Sequence, residues 1–403
     1  MDRNAADDQK GSIIWLVLLS SALLHIPIQL PSVAIQITAF DIALPSIAGW
    51  LYWQGKLRIR AGYSILICGL VVASILCHSF AVYVFKSELV LSWLLKETLK
   101  AAMLAVEFFL VFEVIRSQKL LRPNFAVSMG TLYLGLLGVG SFSLYFWGCG
   151  LDPNSRNCES FFFARTIYCV ALAALLFLSC ADEKWTYSGR RRLALVLTGI
   201  LITAVAILSL SKGMTGLALA MTAWIAFGSK LRSDSTANFV KALVGLTLIA
   251  IIGISAALLI SGNIENLQRM DSIQRSISVR LSLWSIGLDS FWSTFPWGLG
   301  LGQLWQAIVQ DIKLAGEGHK YLHNAFFGLM SGLGLLGLVF SSGLVVMICY
   351  ALRGWPPMMR PLFAILVFAP LIIHDGQSIR LLLIVTALGL ARYLNGNKSL
   401  EIS

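Results

Sequence analysis

The chain has 403 residues, of which 57% are hydrophobic and only 13% are charged, and its mean hydropathy is +0.79. Soluble domains carry about 25% charged residues, so this composition excludes a water-soluble globular protein. The net charge of +11 would suggest a nucleic-acid partner in a soluble protein. In a membrane protein, lysine and arginine collect in cytoplasmic loops, and we therefore expect membrane lipid and no nucleic acid as a partner.

Apolar runs of about 20 residues, the length that crosses about 30 Å of hydrocarbon, predict about twelve membrane helices. They cover roughly 12–29, 32–53, 62–83, 100–115, 125–147, 161–180, 193–210, 214–228, 241–261, 324–350, 361–374 and 380–394. The sequence thus predicts an all-α polytopic membrane protein with a single integral membrane domain over residues 1–403.

The basic residues predict the orientation of these helices. If the N-terminus is cytoplasmic, most of the 31 Lys and Arg residues fall in short inside loops, as the positive-inside rule requires. We therefore expect both termini in the cytoplasm and one long periplasmic loop over 262–322. Leu281, Trp284, Leu288 and Phe291 lie along one helical face in this loop, which predicts short helices in the membrane interface.

A shorter outer loop, GCGLDPNSRNCES, contains Cys149 and Cys158. On an oxidising face of the membrane these two residues would form a disulfide; the alternative is a pair of free thiols. The sequence contains no HExxH, no CxxC pair, no acidic cluster and no GxxxxGK[ST] motif. We therefore expect neither a metal site nor a cofactor nor a nucleotide-driven pump.

Polar residues at the predicted outer ends of the helices are the candidates for chemistry, because polar groups inside membranes are costly. These residues are Lys212, Arg275, Arg280, His319, Lys320, His323, Asn324, His374, Asp375 and Arg380. Arginine suits a phosphate or pyrophosphate, and histidine suits a proton acceptor. For Asn324 the alternative is a helix cap. Inside the predicted helices, Asp41, Glu107 and Glu113 are either buried polar contacts or functional groups.

One segment resembles a known family. His323 and Asn324, nine further residues, then Gly334-Leu-Leu-Gly337 are similar to the histidine signature of the O-antigen ligase and O-antigen polymerase family. Arg280 and Trp284, followed by FPWGLGLG, resemble the loop segment that precedes this signature. Ser211-Lys212-Gly213 falls where the family usually has an arginine, so Lys212 departs from the pattern.

The resemblance implies an inverting, metal-independent glycosyltransferase in the bacterial inner membrane with a periplasmic active site. Its donor would be a glycan on undecaprenyl pyrophosphate. His323 would accept the proton of the attacking hydroxyl at the membrane surface. Arg280, with Arg275 or Lys212, would bind the pyrophosphate. Supporting roles would fall to His319, Asn324, Gly334, Gly337, Asp375 and Arg380.

Two members of the family remain as alternatives. A ligase transfers the finished glycan to lipid A-core, whereas an O-antigen or exopolysaccharide polymerase extends a lipid-linked repeat. The intact signature and the single long outer loop slightly favour the ligase. A third alternative is a flippase or transporter of lipid-linked glycans, which would place its polar groups at the bilayer midplane, often in paired half-repeats.

Overall fold

The protein is described here from a computed structural model, which covers residues 3–23, 28–29, 36–58, 60–85, 91–145, 165–181, 189–208, 212–227, 263–301, 303, 308, 324–373 and 380–400. These residues form helices and a single pair of two-residue strands, so the predicted all-α class is confirmed. The predicted membrane helix 241–261 and most of the second half of the long loop lie outside the described residues.

The elements follow in chain order. The helices are α1 (Arg3–Leu23), α2 (Ala39–Trp53), α3 (Ala61–Phe85), α4 (Leu91–Ser117), α5 (Phe125–Tyr145), α6 (Arg165–Cys180), α7 (Gly189–Leu208), α8 (Lys212–Phe227), α9 (Asn263–Ser293), α10 (Ala325–Arg353), α11 (Arg360–Ile373) and α12 (Arg380–Leu400). The strands β1 (Ile28–Gln29) and β2 (Gln36–Ile37) pair antiparallel between α1 and α2.

Helix α6 lies at the centre of the bundle. Its residues from Val170 to Cys180 are buried on every side, and it packs against α1, α5, α7, α8, α11 and α12. A helix that is apolar all round is typical of such a central position. Helix α3 shows the opposite pattern, because Ile65, Leu66 and Leu76 expose more than half of their surface. Such outward-facing apolar surface suits contact with lipid.

One helix in the described part of the chain, Ala325–Arg353, is long and apolar enough by length and composition to cross a membrane. Five shorter apolar helical segments have 10–17 residues. They are Lys10–Leu23, Ala61–Cys77, Phe125–Leu137, Val170–Cys180 and Thr215–Ala226. The number of membrane helices and their orientation therefore stay predictions.

The long loop differs from its prediction in one respect. Its first half forms the single 31-residue helix α9 in place of short helices. Along this helix Leu281 and Leu288 are exposed, while Leu283 and Phe291 are buried. The reason is that the C-terminal half of α9 buries the face on which Gly287, Ser290 and Thr294 also lie, where small side chains allow close packing.

Arginine side chains bind the ends of several helices at one end of the bundle. Arg192 donates to the carbonyls of Ile225 and Ala226 at the end of α8. Arg360 donates through Nε to the Trp355 carbonyl at 3.0 Å. Carbonyl groups in the last turn of a helix have no partner within it, and a cation is favourable there.

Arg392 contacts three interhelical segments at this same end of the bundle. It donates to the Leu121 carbonyl at 2.7 Å and to the Ala181 carbonyl at 3.4 Å, and its guanidinium lies 4.5 Å from the centre of the Trp355 ring. The region defined by Arg192, Arg360 and Arg392 is called the arginine-capped end below.

Candidate functional site

Helix α10 is a hairpin of two helical arms. Gly334 has φ 58° and ψ −128°, which interrupts the helix between a short arm, 325–333, and a long arm, 335–353. The Ser341 hydroxyl donates to the Phe326 carbonyl at 3.5 Å, although a straight helix would separate residues 15 positions apart by about 22 Å. The arms therefore fold back on each other, and the expectation of one straight membrane helix over 324–350 is wrong.

Two glycines of the histidine signature make this reversal possible. A Cβ on Gly337 would collide with the Leu329 carbonyl of the short arm. A Cβ on Gly334 would collide with the Pro296 carbonyl, and its positive φ disfavours any other residue. The sequence predicted close packing around these glycines, and the structure shows which backbones approach them.

The segment FPWGLGLG holds the reversal in place through the backbone. Leu299 N donates to the Ser331 carbonyl at 2.9 Å, and Gly300 N donates to the Gly332 carbonyl at 2.8 Å. In return, Leu335 N donates to the Pro296 carbonyl at 2.7 Å. These bonds satisfy polar backbone groups that the interrupted helix leaves without partners, which is a requirement for irregular backbone at membrane depth. The sequence offered no signal for this pairing.

Asn324 is the N-cap of the short arm. Its side-chain Oδ1 accepts hydrogen bonds from Phe326 N at 3.0 Å and from Phe327 N at 3.1 Å, and Asn324 itself is buried. The capping alternative for this residue is therefore confirmed. Because Phe326 lies against Ser341, the short arm begins beside the middle of the long arm, about 18 Å from Arg353.

Helix α9 brings Arg280 close to the short arm. Trp284, one turn after Arg280, lies edge-on to Phe327 with 6.1 Å between the ring centroids. Phe327 follows His323 by four residues in the sequence. A small core of Leu283 and Ile308 supports the contact from the side of α9. Two motif segments that are about 40 residues apart in the chain thus meet at one place.

Arg280 is half-buried, and among the described residues it forms no hydrogen bond or ion pair. Burial lowers the pKa of its guanidinium, which nevertheless stays charged at neutral pH because arginine is effectively always protonated in proteins. The other half-buried arginines with described side chains all have partners. They are Arg116, Arg192, Arg360, Arg380 and Arg392. Arg280 therefore presents a cation that no described residue neutralises.

Arg380 lies in a different environment from the one predicted. Its Nη2 donates to Asp41 Oδ1 at 3.1 Å, and its Nε lies 3.3 Å from Glu107 Oε2. Both carboxylates are buried. Arg380 thus joins α12 to α2 and α4, whereas Arg280 belongs to α9 at the hairpin.

The remaining predicted site residues are described only in part. Lys212 is the first residue of α8 and Arg275 lies within α9, but their side chains are not described. His319, His323, Asp375, Cys149 and Cys158 lie outside the described residues. Within the described ranges, no three His, Cys, Asp or Glu side chains are grouped so as to hold a metal ion.

Comparison with known protein families gives a match for part of the chain. A search of curated proteins finds no relative. The family model described as O-antigen ligase matches residues 193–342, which include α7, α8, α9, the reversal at Gly334 and the first turns of the long arm. This family consists of membrane proteins, and the match indicates glycosyltransferase activity of the O-antigen ligase type. The resemblance seen in the sequence is confirmed over this segment: residues 193–342 are similar to the O-antigen ligase family.

Proposed function

We propose that the protein is an inverting glycosyltransferase that transfers a glycan en bloc from undecaprenyl pyrophosphate to a sugar hydroxyl. The reaction takes place at the periplasmic face of the bacterial inner membrane, and the acceptor is lipid A-core, which makes the protein an O-antigen ligase. The family match supports the reaction class, and the contact between α9 and the hairpin supports the site.

The observation that carries this proposal is the half-buried guanidinium of Arg280, which forms no hydrogen bond or ion pair with any described residue. It lies on α9 one turn before Trp284, whose ring contacts Phe327 of the short arm. A buried cation without a protein partner is unfavourable, and an anionic substrate group removes that cost. A diphosphate supplies several oxygen acceptors, and the planar guanidinium fork binds two of them at once. Arg275 and Lys212 add further positive charge in this proposal.

The chemistry then needs one proton acceptor. The acceptor hydroxyl attacks the anomeric carbon of the donor sugar while His323 takes the hydroxyl proton. The bond between the anomeric carbon and the diphosphate oxygen breaks, and undecaprenyl pyrophosphate leaves with the electron pair. Arg280 stabilises the negative charge that grows on the leaving diphosphate. No metal is required in this scheme, because the protein's cations neutralise the diphosphate.

In this proposal His323 acts at the start of the short arm. It directly precedes Asn324 in the sequence, and the Asn324 side chain fixes the first turn of that arm. The start of that arm lies beside Ser341, in the middle of the long arm. We infer that the sugar and diphosphate of the donor react at the depth of the start of the short arm, inside the bundle. The sequence had suggested a reaction at the outer surface of the bundle.

The exposed face of α9 supports contact with the hydrophobic part of the membrane. Leu281, Leu288 and Trp292 expose 56%, 39% and 64% of their surface and lie on one stripe of the helix. Aromatic residues with apolar neighbours are typical of the membrane interface. This stripe starts beside Arg280, so the lipid tail of a bound donor can lie along it.

The proposal is tested with the purified full chain in proteoliposomes. The donor is an undecaprenyl-pyrophosphate-linked glycan, the buffer contains a metal chelator, and lipid A-core or a second lipid-linked repeat is offered as the acceptor. We expect the glycan to appear on lipid A-core without an ion gradient. Transfer to the lipid-linked repeat alone would make the protein a polymerase. Movement of intact donor across the bilayer without transfer would contradict the proposal and identify a transporter.

A further inference from the structure

A buried cluster of three charged side chains lies outside the segment that matches the family. It consists of Asp41 at the start of α2, Glu107 in the middle of α4 and Arg380 at the start of α12. The exposed fractions of the three side chains are 4%, 6% and 11%. We call these three residues the buried triad.

The buried triad lies deep in the bundle. Arg380 precedes Arg392 by 12 residues on α12, which corresponds to about 18 Å from the arginine-capped end. The start of the short arm of the hairpin lies at a similar distance from that end. Helix α12 packs along α10, and Gly389 of α12 touches Gly354 at the end of the long arm. The triad therefore supports the helix that runs beside the hairpin, at about the level of Asn324.

The charges of the buried triad do not balance. Two ionised carboxylates and one guanidinium would leave one net negative charge in a buried place, where an unpaired charge is strongly destabilising. From the neighbouring helix α3, Tyr63 reaches α4, where its ring stacks on Phe109. Tyr63 donates to Glu113 and not to Glu107.

The hydrogen bonds indicate which of the two carboxyl groups carries the proton that would balance these charges. Asp41 accepts from Thr38 N at 2.6 Å and from Arg380 Nη2 at 3.1 Å, so two donors favour its ionised form. No donor among the described residues forms a hydrogen bond with either oxygen of Glu107. The carboxyl groups of Asp41 and Glu107 are nevertheless neighbours, because Asp41 Oδ1 and Glu107 Oε2 lie 3.1 Å and 3.3 Å from nitrogens of the same Arg380 guanidinium. Two carboxyl groups in this arrangement form a hydrogen bond only if one of them carries a proton.

We propose that Asp41 and Glu107 form a proton-binding site that holds one proton, carried by Glu107 and donated to Asp41, so that the buried triad is neutral. Either carboxyl group supplies the single negative charge that Arg380 needs, provided that the other stays neutral. The neutral triad fixes the start of α12 against α2 and α4. Through α12 it positions the hairpin without touching a substrate.

Substitutions of the full chain test this proposal through thermal stability and infrared spectroscopy, neither of which depends on the proposed function. Glu107→Gln replaces a protonated carboxyl group with an amide of the same shape, which still donates to Asp41. We expect the folded fraction and the transfer rate of this variant to stay within about threefold of the wild type, because the hydrogen bond is retained. Glu107→Ala removes the donor, and we expect a clear loss of stability. The infrared band of a protonated carboxylic acid should be present in the wild type and absent in Glu107→Gln.

A double substitution tests the sharing of the charge. In Asp41→Asn, Glu107 ionises and replaces the lost charge, so we expect a folded protein. In Asp41→Asn with Glu107→Gln, neither carboxylate of the buried triad is left to face Arg380. We expect the folded fraction to fall by more than about 100-fold beyond the product of the two single effects.

Glu113 on the same helix is the matched control. It accepts from Tyr63 at 2.6 Å and lies 3.6 Å from nitrogens of both Arg60 and Arg116, so its substitution removes contacts to two cations. We expect Glu113→Gln to cost more stability than Glu107→Gln. The proposal is overturned if Glu107→Gln fails to fold or is as damaging as Glu107→Ala. It is also overturned if the infrared band survives in Glu107→Gln, or if the double substitution is additive.

Discussion

Arginine has opposite roles at the hairpin and at the arginine-capped end. At the arginine-capped end, Arg192, Arg360 and Arg392 all donate to backbone carbonyls of the protein. At the hairpin, Arg280 is as deeply placed but forms no hydrogen bond or ion pair with any described residue. The comparison teaches that a buried cation identifies a binding site only when the protein leaves its donors unused. Proximity to the membrane surface does not separate the two cases.

Replacing one glycine at the hairpin and one at the arginine-capped end with alanine should have the largest effects on stability. Gly334→Ala forces a residue with a Cβ into a positive φ and against the Pro296 carbonyl, and we expect it to lower the free energy of unfolding by about 2–5 kcal/mol. At the arginine-capped end, Gly354→Ala has an ordinary φ but places a Cβ against the Gly389 carbonyl and Tyr393 N of α12, and we expect it to cost about 1–3 kcal/mol. Thermal unfolding in detergent measures both.

A matched control for these substitutions exists on the same helix. Gly343 on the long arm has nothing within 4 Å of an added Cβ, so Gly343→Ala should leave stability unchanged or slightly improved. Transfer per folded molecule should fall in Gly334→Ala and persist in Gly354→Ala. Equal transfer by the two variants would separate the hairpin from the reaction.

Exchanging the arginines for alanine should produce opposite phenotypes. Arg280→Ala should lower the transfer rate on the order of 100- to 1,000-fold, because the leaving diphosphate loses its stabilising cation, while stability is unchanged. Arg392→Ala should leave the rate per folded molecule unchanged and lower the free energy of unfolding by about 2–3 kcal/mol, because the bond to Leu121 is lost. Reconstituted transfer and thermal unfolding distinguish them. If both variants lost stability and kept transfer, the contrast between the two places would disappear.

Lysine substitutions refine the role of the guanidinium. Arg280→Lys keeps the charge but loses the planar fork, and we expect transfer to fall about tenfold, the equivalent of one lost charge-assisted hydrogen bond of roughly 1.5 kcal/mol. Lys212→Arg restores the residue that the family usually has and should cost less. The reverse order of the two effects would assign the binding of the diphosphate to Lys212.

The helix caps give the smallest expected effect. Asn324 caps the short arm, and Asn124 caps α5 near the arginine-capped end, where its Oδ1 accepts from Ala126 N at 2.9 Å. Replacing either with alanine should cost about 1 kcal/mol of stability. Transfer should fall only in Asn324→Ala, because that cap holds the first turn after His323. Asn324→Asp keeps the cap and should restore transfer; no difference between the Asn324 and Asn124 variants would contradict this role.

Much of the helical architecture could be predicted from composition and local apolar runs. The run predicted over 125–147 corresponds to α5, Phe125–Tyr145. The hairpin could not be predicted, because the apolar pattern continues through Gly334 without a break. Its reversal depends on backbone bonds from Pro296, Leu299 and Gly300, which lie more than 30 residues upstream. A local pattern contains no information about such a partner.

The candidate functional site could also be predicted from the sequence only in part. Arg280 and Trp284 were predicted from their resemblance to the family, and their segment lies against the short arm. Arg380 was expected to join the same external site, but its guanidinium binds Asp41, 339 positions away in the chain. From the sequence alone, a carboxylate inside a predicted helix, such as that of Asp41, does not reveal which residue it pairs with. The roles of His323, His319, Asp375, Lys212 and Arg275 and the disulfide between Cys149 and Cys158 stay predictions.

The most direct measurement is the single-turnover rate of glycan transfer by His323→Ala in proteoliposomes, with His319→Ala as the matched control. If His323 accepts the hydroxyl proton, its loss should lower the rate by about 100- to 10,000-fold while donor binding stays within a few fold of the wild type. His319→Ala should lose much less. Transfer by His323→Ala at the wild-type rate would contradict the proposed mechanism.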